Sequence, residues 1–599
     1  MVAVAPVKYS DQLIDWLKED GYTHCFFVAG GNIMHLLDSV RSRMTCVPFI
    51  HEVGATIGAE YFNAARDPEG GRAFVLVTAG PGVTNTLTGV AGAWQESREL
   101  LVIAGQVKKE DLANGEVRQR GIQEIDGMAL VESISKASLR IEAPVPRDEI
   151  MALVHQGREP RMGPVFLEIC LDATAAAPLP DDGVGAFPAW LPDVDAVSTA
   201  DIDRVREWLS DSARPVVLVG GGASRATIRT LVEETAAAGI PLMTTWNGAD
   251  RVPTEHPMYA GRPDTWGQRS ANVLVQQADL VIAVGARLGL QQTGFSWQQF
   301  ASVGRVVQVE IDEAELTKGH PRVDLPLRGD ADRFLFDLYT GSLPAPARWA
   351  EWRSFIKDVR RELPLNEAVN VTAEGFVKPY ELAMGICDIA GPRDVVLPCS
   401  SGGAATVSMQ SLRMRADQKL VGDKSLASMG YGLAGSIGAA LANPDRTVFL
   451  TEGDGGFAQN LQELGTLAAT GCSVKIFLMV NGGYASIRMT QRNYFGGAWI
   501  GCDESTGLGL PRWETLAASY GIRFARMDPS DPFGGAVGQA IAAPGPALIE
   551  VPIDPEQTYF PKIMSAVQPD GSMRSNPLHL MSPDLSEDVA VRVFRYLDV

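Results

Sequence analysis

Cysteine is scarce in this chain: seven among 599 residues, at Cys25, Cys46, Cys170, Cys387, Cys399, Cys472 and Cys502, with no CxxC pair. That scatter excludes a disulfide framework and fits a reducing compartment. Positive charge is also short. Fifty-two Lys and Arg face 72 Asp and Glu, a net charge of -20, which argues against a nucleic-acid groove or an anionic membrane as main partner. Any phosphate must then be held by a local device. No apolar run reaches membrane-spanning length, and the opening MVAVAPVKYSDQLIDWLKEDG turns amphipathic and charged without the apolar stretch of a signal peptide. A cytoplasmic location is expected. Short-period repeats are missing, and low complexity is confined to Ala/Gly-rich helical patches.

With 46% hydrophobic and 21% charged residues the composition is that of an ordinary globular protein. Its length is several times the ~150 residues of one domain. Short β-rich runs ending in Gly or Asp alternate with Ala/Leu-rich helical stretches, the pattern of parallel sheets wrapped by helices. The expected class is α/β, with three doubly wound parallel-sheet domains. Strand candidates are 24–28, 73–78, 100–105 and 165–170 in the first block, 216–219, 280–284 and 306–311 in the second, and 394–397, 447–451, 474–480 and 547–551 in the third. The domains are drawn at 1–180, 201–345 (central, Rossmann-like) and 376–560. Irregular linkers are expected at 181–200 and 346–375, and a tail with little sheet character at 561–599 that can close as a lid or lie as a packed arm.

The strongest chemical signal is TVFLTEGDGGFAQNLQELGTLAATGCSVKIFLMVNGGY. One strand delivers Gly453-Asp454-Gly455, a helix follows after Gly456, and the next strand delivers Asn481-Gly482-Gly483. A carboxylate, an amide oxygen and the Gly483 carbonyl at neighbouring strand ends suit Mg²⁺, which takes oxygen ligands and leaves positions for phosphate. The helix N-terminus offers N–H groups to the same phosphates. Far upstream, Phe49-Ile50-His51-Glu52-Val53-Gly54-Ala55 opens an Ala-rich helix with Glu52 at its start.

This strand–GDG–helix–strand–Asn order resembles the signature of thiamine diphosphate enzymes. The resemblance implies that Asp454, Asn481 and Gly483 hold Mg²⁺, that Gly402, Gly453, Gly455 and Gly456 lie against the diphosphate, and that Glu52 bonds the aminopyrimidine ring and controls its proton. It also makes 1–180 the pyrimidine-binding (PYR) domain and 376–560 the diphosphate-binding (PP) domain. Because these residues come from different domains, it implies a homodimer or homotetramer with active sites between subunits. Val28-Ala29-Gly30-Gly31, Thr78 to Asn85, Ala104-Gly105-Gln106-Val107, Ile122-Gln123-Glu124-Ile125-Asp126 and Ser428-Met429-Gly430-Tyr431-Gly432 resemble the acetolactate synthase large subunit in order and spacing. By that likeness Gly31 and Gln123 face the reacting carbon and Met429 is the wedge that bends the cofactor.

Departures from that pattern bear on substrate. Where acetolactate synthases carry an Asp-Arg pair that neutralises the acceptor carboxylate, Gly285-Ala286-Arg287 is followed here by Leu290 and Gln291 in the corresponding places. Thr490 replaces a tryptophan, Asn32 stands where a small apolar residue is usual, and Gly403-Ala404 replace a bulky polar pair. Asn32, Gln291 and Thr490 thus outline a candidate acceptor pocket. The expectation is a carboligase that decarboxylates a 2-keto acid, most simply pyruvate, and passes the acyl unit to an aldehyde or ketone. A decarboxylase, an oxidase, a C–C hydrolase and a catalytically silent scaffold are the alternatives. FAD is left open, since Gly220-Gly221-Gly222-Ala223, Gly261-Arg262-Pro263 and Arg287 lie at positions comparable to those of flavin-holding relatives.

Overall fold

The computed structural model describes residues 6–180, 196–399 and 401–597. Three six-stranded sheets, every pairing parallel, carry the chain. The first joins β1 (Tyr22–Phe27), β2 (Thr45–Pro48), β3 (Arg72–Val77), β4 (Leu100–Gln106), β5 (Ala137–Ile141) and β6 (Pro164–Cys170) in the order β2-β1-β3-β4-β6-β5. The second joins β7 (Pro215–Val219), β8 (Leu242–Thr244), β9 (Tyr259–Gly261), β10 (Leu280–Val284), β11 (Arg305–Glu310) and β12 (Leu325–Arg328) as β12-β11-β10-β7-β8-β9. The third joins β13 (Val395–Pro398), β14 (Lys419–Leu420), β15 (Val448–Gly453), β16 (Val474–Val480), β17 (Arg523–Arg526) and β18 (Ala547–Pro552) as β14-β13-β15-β16-β18-β17.

All eleven sequence-derived strands are present, and in these three sheets seven more accompany them: β2, β5, β8, β9, β12, β14 and β17. Six of these seven are sheet edges. An inner strand such as β4 is buried along its whole length and therefore reads as an unbroken apolar run. Edge strands are half covered, as in the alternating burial of β12, or only two or three residues long, as in β14 and β9.

Two expectations about connections need correction. The stretch 346–375 is not irregular throughout, for it contains the helix Ala350–Glu362. Its Trp352, Phe355, Ile356 and Val359 fall at helical spacing and are buried, with Trp349, in the core of the second sheet. Tryptophan Nε1 atoms at 349 and 352 donate to Ser212 O and Pro215 O, both at 3.0 Å. The tail also has more sheet than expected: β19 (Ser565–Val567) and β20 (Met573–Ser575) form an antiparallel hairpin. Beyond it the tail is pinned to the helix Arg269–Gln277 by Arg269 Nη1 to Met581 O and Gln277 Nε2 to Val593 O, each 2.8 Å. Of the linker expected at 181–200, residues 181–195 lie outside the described residues; the helix Thr199–Asp211 then begins, capped by Ser198.

The first and third units meet through two helices, Glu52–Ala65 and Tyr431–Leu441, which pack along each other. Gly58 and Gly438 permit the approach, since a Cβ on Gly438 would stand 1.9 Å from Gly58 O.

Candidate active site

The ends of β15 and β16 lie side by side, with Gly453 paired to Met479, so the residues that follow emerge together. Asp454 is buried, and its Oδ2 accepts from the backbone N–H of Asn481 (3.1 Å), Gly482 (2.8 Å) and Gly483 (3.2 Å) while Oδ1 accepts from Gly455 N at 2.8 Å. Burial pushes this carboxyl up to about 6, and the four N–H bonds pull against that rise. Gly482 and Gly483 turn with φ of +79° and +132°, the left-handed region that favours glycine, and a Cβ on Gly483 would meet Cys502 O at 2.3 Å. Arg488, buried, holds the same turn by donating to Asn481 O at 2.8 Å and Gly482 O at 3.3 Å.

Asn481 Oδ1 is buried with no hydrogen-bond partner in the protein. Among the described residues no three His, Cys, Asp or Glu side chains gather to hold an ion. A cation here would rest on one carboxylate, one amide oxygen and backbone oxygens, the donors that a hard divalent ion takes. The unpaired amide oxygen fits that role. Open space adjoins the site: a Cβ on Gly453 would touch nothing within 4 Å, and at Gly402, with φ +73°, its nearest neighbour would be Ser486 Oγ at 4.0 Å. Gly455 is different, because Tyr484 fills the space where its Cβ would go, and at Gly456 the nearest atom is Glu452 Oε1 at 3.5 Å. Glu452, which the motif reading passed over, is a buried acid pushed up to about 8 by burial, against the pull of the Gly432 and Leu433 amides.

Glu52 begins its helix and is buried; its Oε2 accepts from Asn85 Nδ2 at 2.9 Å, on the helix Pro81–Gln95. The helix start is held from the third unit by Glu463, fully buried, whose Oε1 accepts from His51 N at 3.0 Å and Oε2 from Ile50 N at 3.3 Å. No local signal marks Glu463, since its partners lie more than 400 residues away in sequence, as the separations of 412 and 413 show. Gln123 is exposed and adopts φ +64°, uncommon for a side chain of its size. The next residue, Glu124, explains how: its carboxylate collects the backbone N–H of Ala113, Arg120 (2.8 Å) and Gly121 (3.1 Å) and ties the loop off. Burial raises that carboxyl, but the three bonds outweigh it and keep the pKa below the usual range. Gly80 sits against this loop, a Cβ there coming within 2.4 Å of Gln123 O.

Gly31 opens onto free space, and the neighbouring Asn32 keeps its Nδ2 buried without a partner. Met429 is 38% exposed, with Gln459 Nε2 3.6 Å from its sulfur. Its loop is tethered from both other units. Glu96 accepts from Lys424 N (2.8 Å) and Ser425 N (2.7 Å), Arg98 donates to Gly422 O, Lys424 pairs with buried Asp264, and Arg287 donates to Ser425 Oγ at 3.2 Å. Gln291 and Thr490 are both exposed. Ser296 Oγ, five residues after Gln291, donates to Ser575 O in the tail hairpin at 2.5 Å. Among the described residues no hydrogen bond joins Glu52 to Asp454, Asn481 or Met429.

The three segments that left FAD open are engaged with the protein itself. A Cβ on Gly220 would stand 2.0 Å from Gly285 O, and Arg251 donates to Ala223 O (2.6 Å) and Gly221 O (3.1 Å). Arg262, fully buried, donates to Met409 O at 3.1 Å and Leu412 O at 2.5 Å. Arg287 is taken up by Ser425. Close backbone packing gives Gly220 and Gly222 a structural role of their own.

Three parallel α/β units, with an acid and an amide converging at adjacent strand ends of the last, define the class of enzymes that hold a phosphorylated cofactor at strand termini. Family models agree with that class along the chain. Residues 7–130 match the thiamine pyrophosphate enzyme N-terminal TPP binding domain, 202–338 its central domain and 401–551 its C-terminal TPP binding domain. The chain belongs to the thiamine pyrophosphate (thiamine diphosphate) enzyme family. It is 28% identical over 575 residues to the acetolactate synthase isozyme 2 large subunit of Escherichia coli (strain K12), covering 94% of this chain and 98% of that one. The isozyme 1 large subunit of the same organism is 28% identical over 564 residues, 92% and 95% of the two chains. A probable acetolactate synthase large subunit of Methanocaldococcus jannaschii is 27% identical over 566 residues, 92% and 93%.

Proposed function

We propose that this protein is a thiamine diphosphate-dependent carboligase that decarboxylates a 2-keto acid, most simply pyruvate, and transfers the acyl unit to an aldehyde or ketone acceptor. The observation that carries the reading is the unpaired buried Oδ1 of Asn481 beside Asp454, in a chain similar from end to end to acetolactate synthase large subunits. Asp454, Asn481 and the Gly483 carbonyl would hold Mg²⁺, and Gly402 and Gly453 would leave room for the diphosphate. When bound, thiamine diphosphate supplies a nucleophilic carbon and an electron sink for decarboxylation. Glu52 would hold and move the proton at the pyrimidine nitrogen, its carboxyl oriented by Asn85. Met429 would support the cofactor from its tethered loop, while Gly31 and Gln123 would face the reacting carbonyl.

Asn32, Gln291 and Thr490 would line the acceptor side. No arginine stands at Leu290 or Gln291, so a neutral carbonyl suits the site better than a second keto-acid carboxylate, for which a missing guanidinium costs several kcal/mol (~3–5). The reading assigns no step to FAD. A homodimer or homotetramer is supported by the helix Ala485–Phe495, where Arg488 alone is buried while Ile487, Tyr494 and Phe495 are exposed. A lid role falls to the tail hairpin, the part of 561–599 before the anchors at Met581 and Val593. Seven free cysteines support a cytoplasmic site of action; among the described residues no helix is long and apolar enough to cross a membrane.

Incubating the protein with thiamine diphosphate, Mg²⁺, pyruvate and a panel of aldehydes tests the reading. A carbon–carbon bonded hydroxyketone, identified by mass and NMR, is expected. Acetaldehyde or acetate as sole product would replace ligation by simple decarboxylation or oxidation.

A further inference from the structure

Before Met429, four successive backbone amides are taken by two carboxylates. Glu96 Oε1 accepts from Lys424 N at 2.8 Å and Ser425 N at 2.7 Å, and Asp423 Oδ1 accepts from Leu426 N at 3.1 Å and Ala427 N at 3.4 Å. Glu96 reaches in from the first unit, whereas Asp423 belongs to the loop and closes a turn on itself. Asp423 is buried, and its Oδ2 has no hydrogen-bond partner in the protein. The turn ends in an unusual conformation. Ala427 has φ +51°, the left-handed region that a residue with a Cβ seldom adopts. Gly430 has φ +86°, and Asn460 Nδ2 donates to its carbonyl at 2.8 Å. Met429 therefore lies between two left-handed residues, a glycine that takes this conformation freely and an alanine that does not.

An alanine stays at such a φ only where its surroundings over-determine it. The peptide unit is planar, so fixing the direction of the Ala427 N–H fixes the plane about which its φ turns. Asp423 does this by taking that N–H and the one before it. The tethers to Glu96, Asp264 and Arg287 come from the other two units and place the loop; the Asp423 bonds shape it. Met429 follows Ala427 by two residues, with Gln459 Nε2 3.6 Å from its sulfur. We propose that Asp423 is a positioning residue for Met429: resting on the cofactor-supporting role given to Met429 above, it holds Ala427 left-handed and so sets where the methionine side chain meets the cofactor. Glycine at 427 would make the same turn without help, so the carboxylate and the alanine form a matched pair.

The test uses the full-length protein and two readouts. Amide hydrogen exchange of the ligand-free protein reads the turn. The rate at which the C2 proton of bound thiamine diphosphate exchanges into deuterated buffer, with Mg²⁺ present, reads the placement of the cofactor. Asp423→Ala should speed exchange of the Leu426 and Ala427 amides by about fivefold and slow the C2 proton by about ten- to a hundredfold. Adding Ala427→Gly to Asp423→Ala should return the C2 rate to within about threefold of wild type, because glycine holds a positive φ unaided. A variant that had merely lost stability would not recover. Wild-type rates in Asp423→Ala, or a slowed C2 rate that Ala427→Gly does not restore, overturn the proposal. Should Asp423→Ala not fold, Ala427→Val takes its place, since a β-branched side chain disfavours the left-handed conformation; a wild-type C2 rate there overturns the proposal equally. Met429→Ala separates this failure from that of the underlying reading: if it exchanges the C2 proton as wild type does, or if wild type takes up no cofactor, the role given to Met429 is itself wrong.

Discussion

One hydrogen bond, from Asn85 Nδ2 to Glu52 Oε2, sets the carboxyl on which the proposed proton transfer depends. Glu52→Gln should leave thiamine diphosphate affinity close to wild type and lower kcat by about 10²- to 10⁴-fold; steady-state rates beside a binding isotherm distinguish the two effects, and an unchanged kcat removes Glu52 from the chemistry. Two turns along the same helix, Glu60 is fully buried against Arg98 at 2.7 Å. Burial pushes its carboxyl up to about 8, Arg98 pulls it down, and Asp423 and Glu96 push it up. The folded chain therefore keeps a proton that the unfolded chain, titrating near 4.5, has released. Stability from this group is complete below 4.5 and is lost as pH rises through about 8. Glu60→Gln mimics the protonated acid and should flatten the decline of Tm across that window; a variant with the wild-type slope would show that other groups set it. Asp454 and Asn481 were legible in the sequence because neighbouring parallel strands bring their ends together by construction. Glu463 and Glu124 were not, since each acts on backbone that only folding brings near.

Elements were legible in proportion to how completely they are buried. Inner strands such as β4 and β16 read directly as apolar runs, while edge strands β2, β5, β12 and β17 carry mixed sequences because only part of each is covered. The helix Ala350–Glu362 carried its own signal in the spacing of Trp352, Phe355, Ile356 and Val359, although an irregular linker was expected there. Trp352→Ala should cost about 3–5 kcal/mol, measured by denaturant unfolding; a cost near zero would return the segment to linker status. The loop carrying Met429 depends on the pairing of half-buried Lys424 with buried Asp264. Asp264→Ala leaves the half-buried ammonium without its partner and should destabilise by about 1–3 kcal/mol, detected in the same unfolding experiment.

At the scale of the whole molecule, the surface around Ile487 (47% exposed), Phe495 (68%) and Ile500 (76%) is too apolar to be left to water at no cost. If a second copy covers it, Phe495→Glu should shift the protein toward monomer in sedimentation velocity and reduce activity together with assembly. A variant that remains fully assembled would move the interface elsewhere. The sequence by itself determined the α/β class, the sequence order of the three sheets and the acid–amide pair at the ends of β15 and β16, because strand periodicity and strand-end chemistry are encoded within a few dozen neighbouring residues. Only the tertiary structure decided that a helix lies in the expected linker, that glycines of the central unit serve backbone packing, that three units share the Met429 loop, and that Glu463 holds the start of the helix carrying Glu52. Those outcomes depend on burial and on hydrogen bonds between residues hundreds of positions apart, whose partners no local pattern specifies.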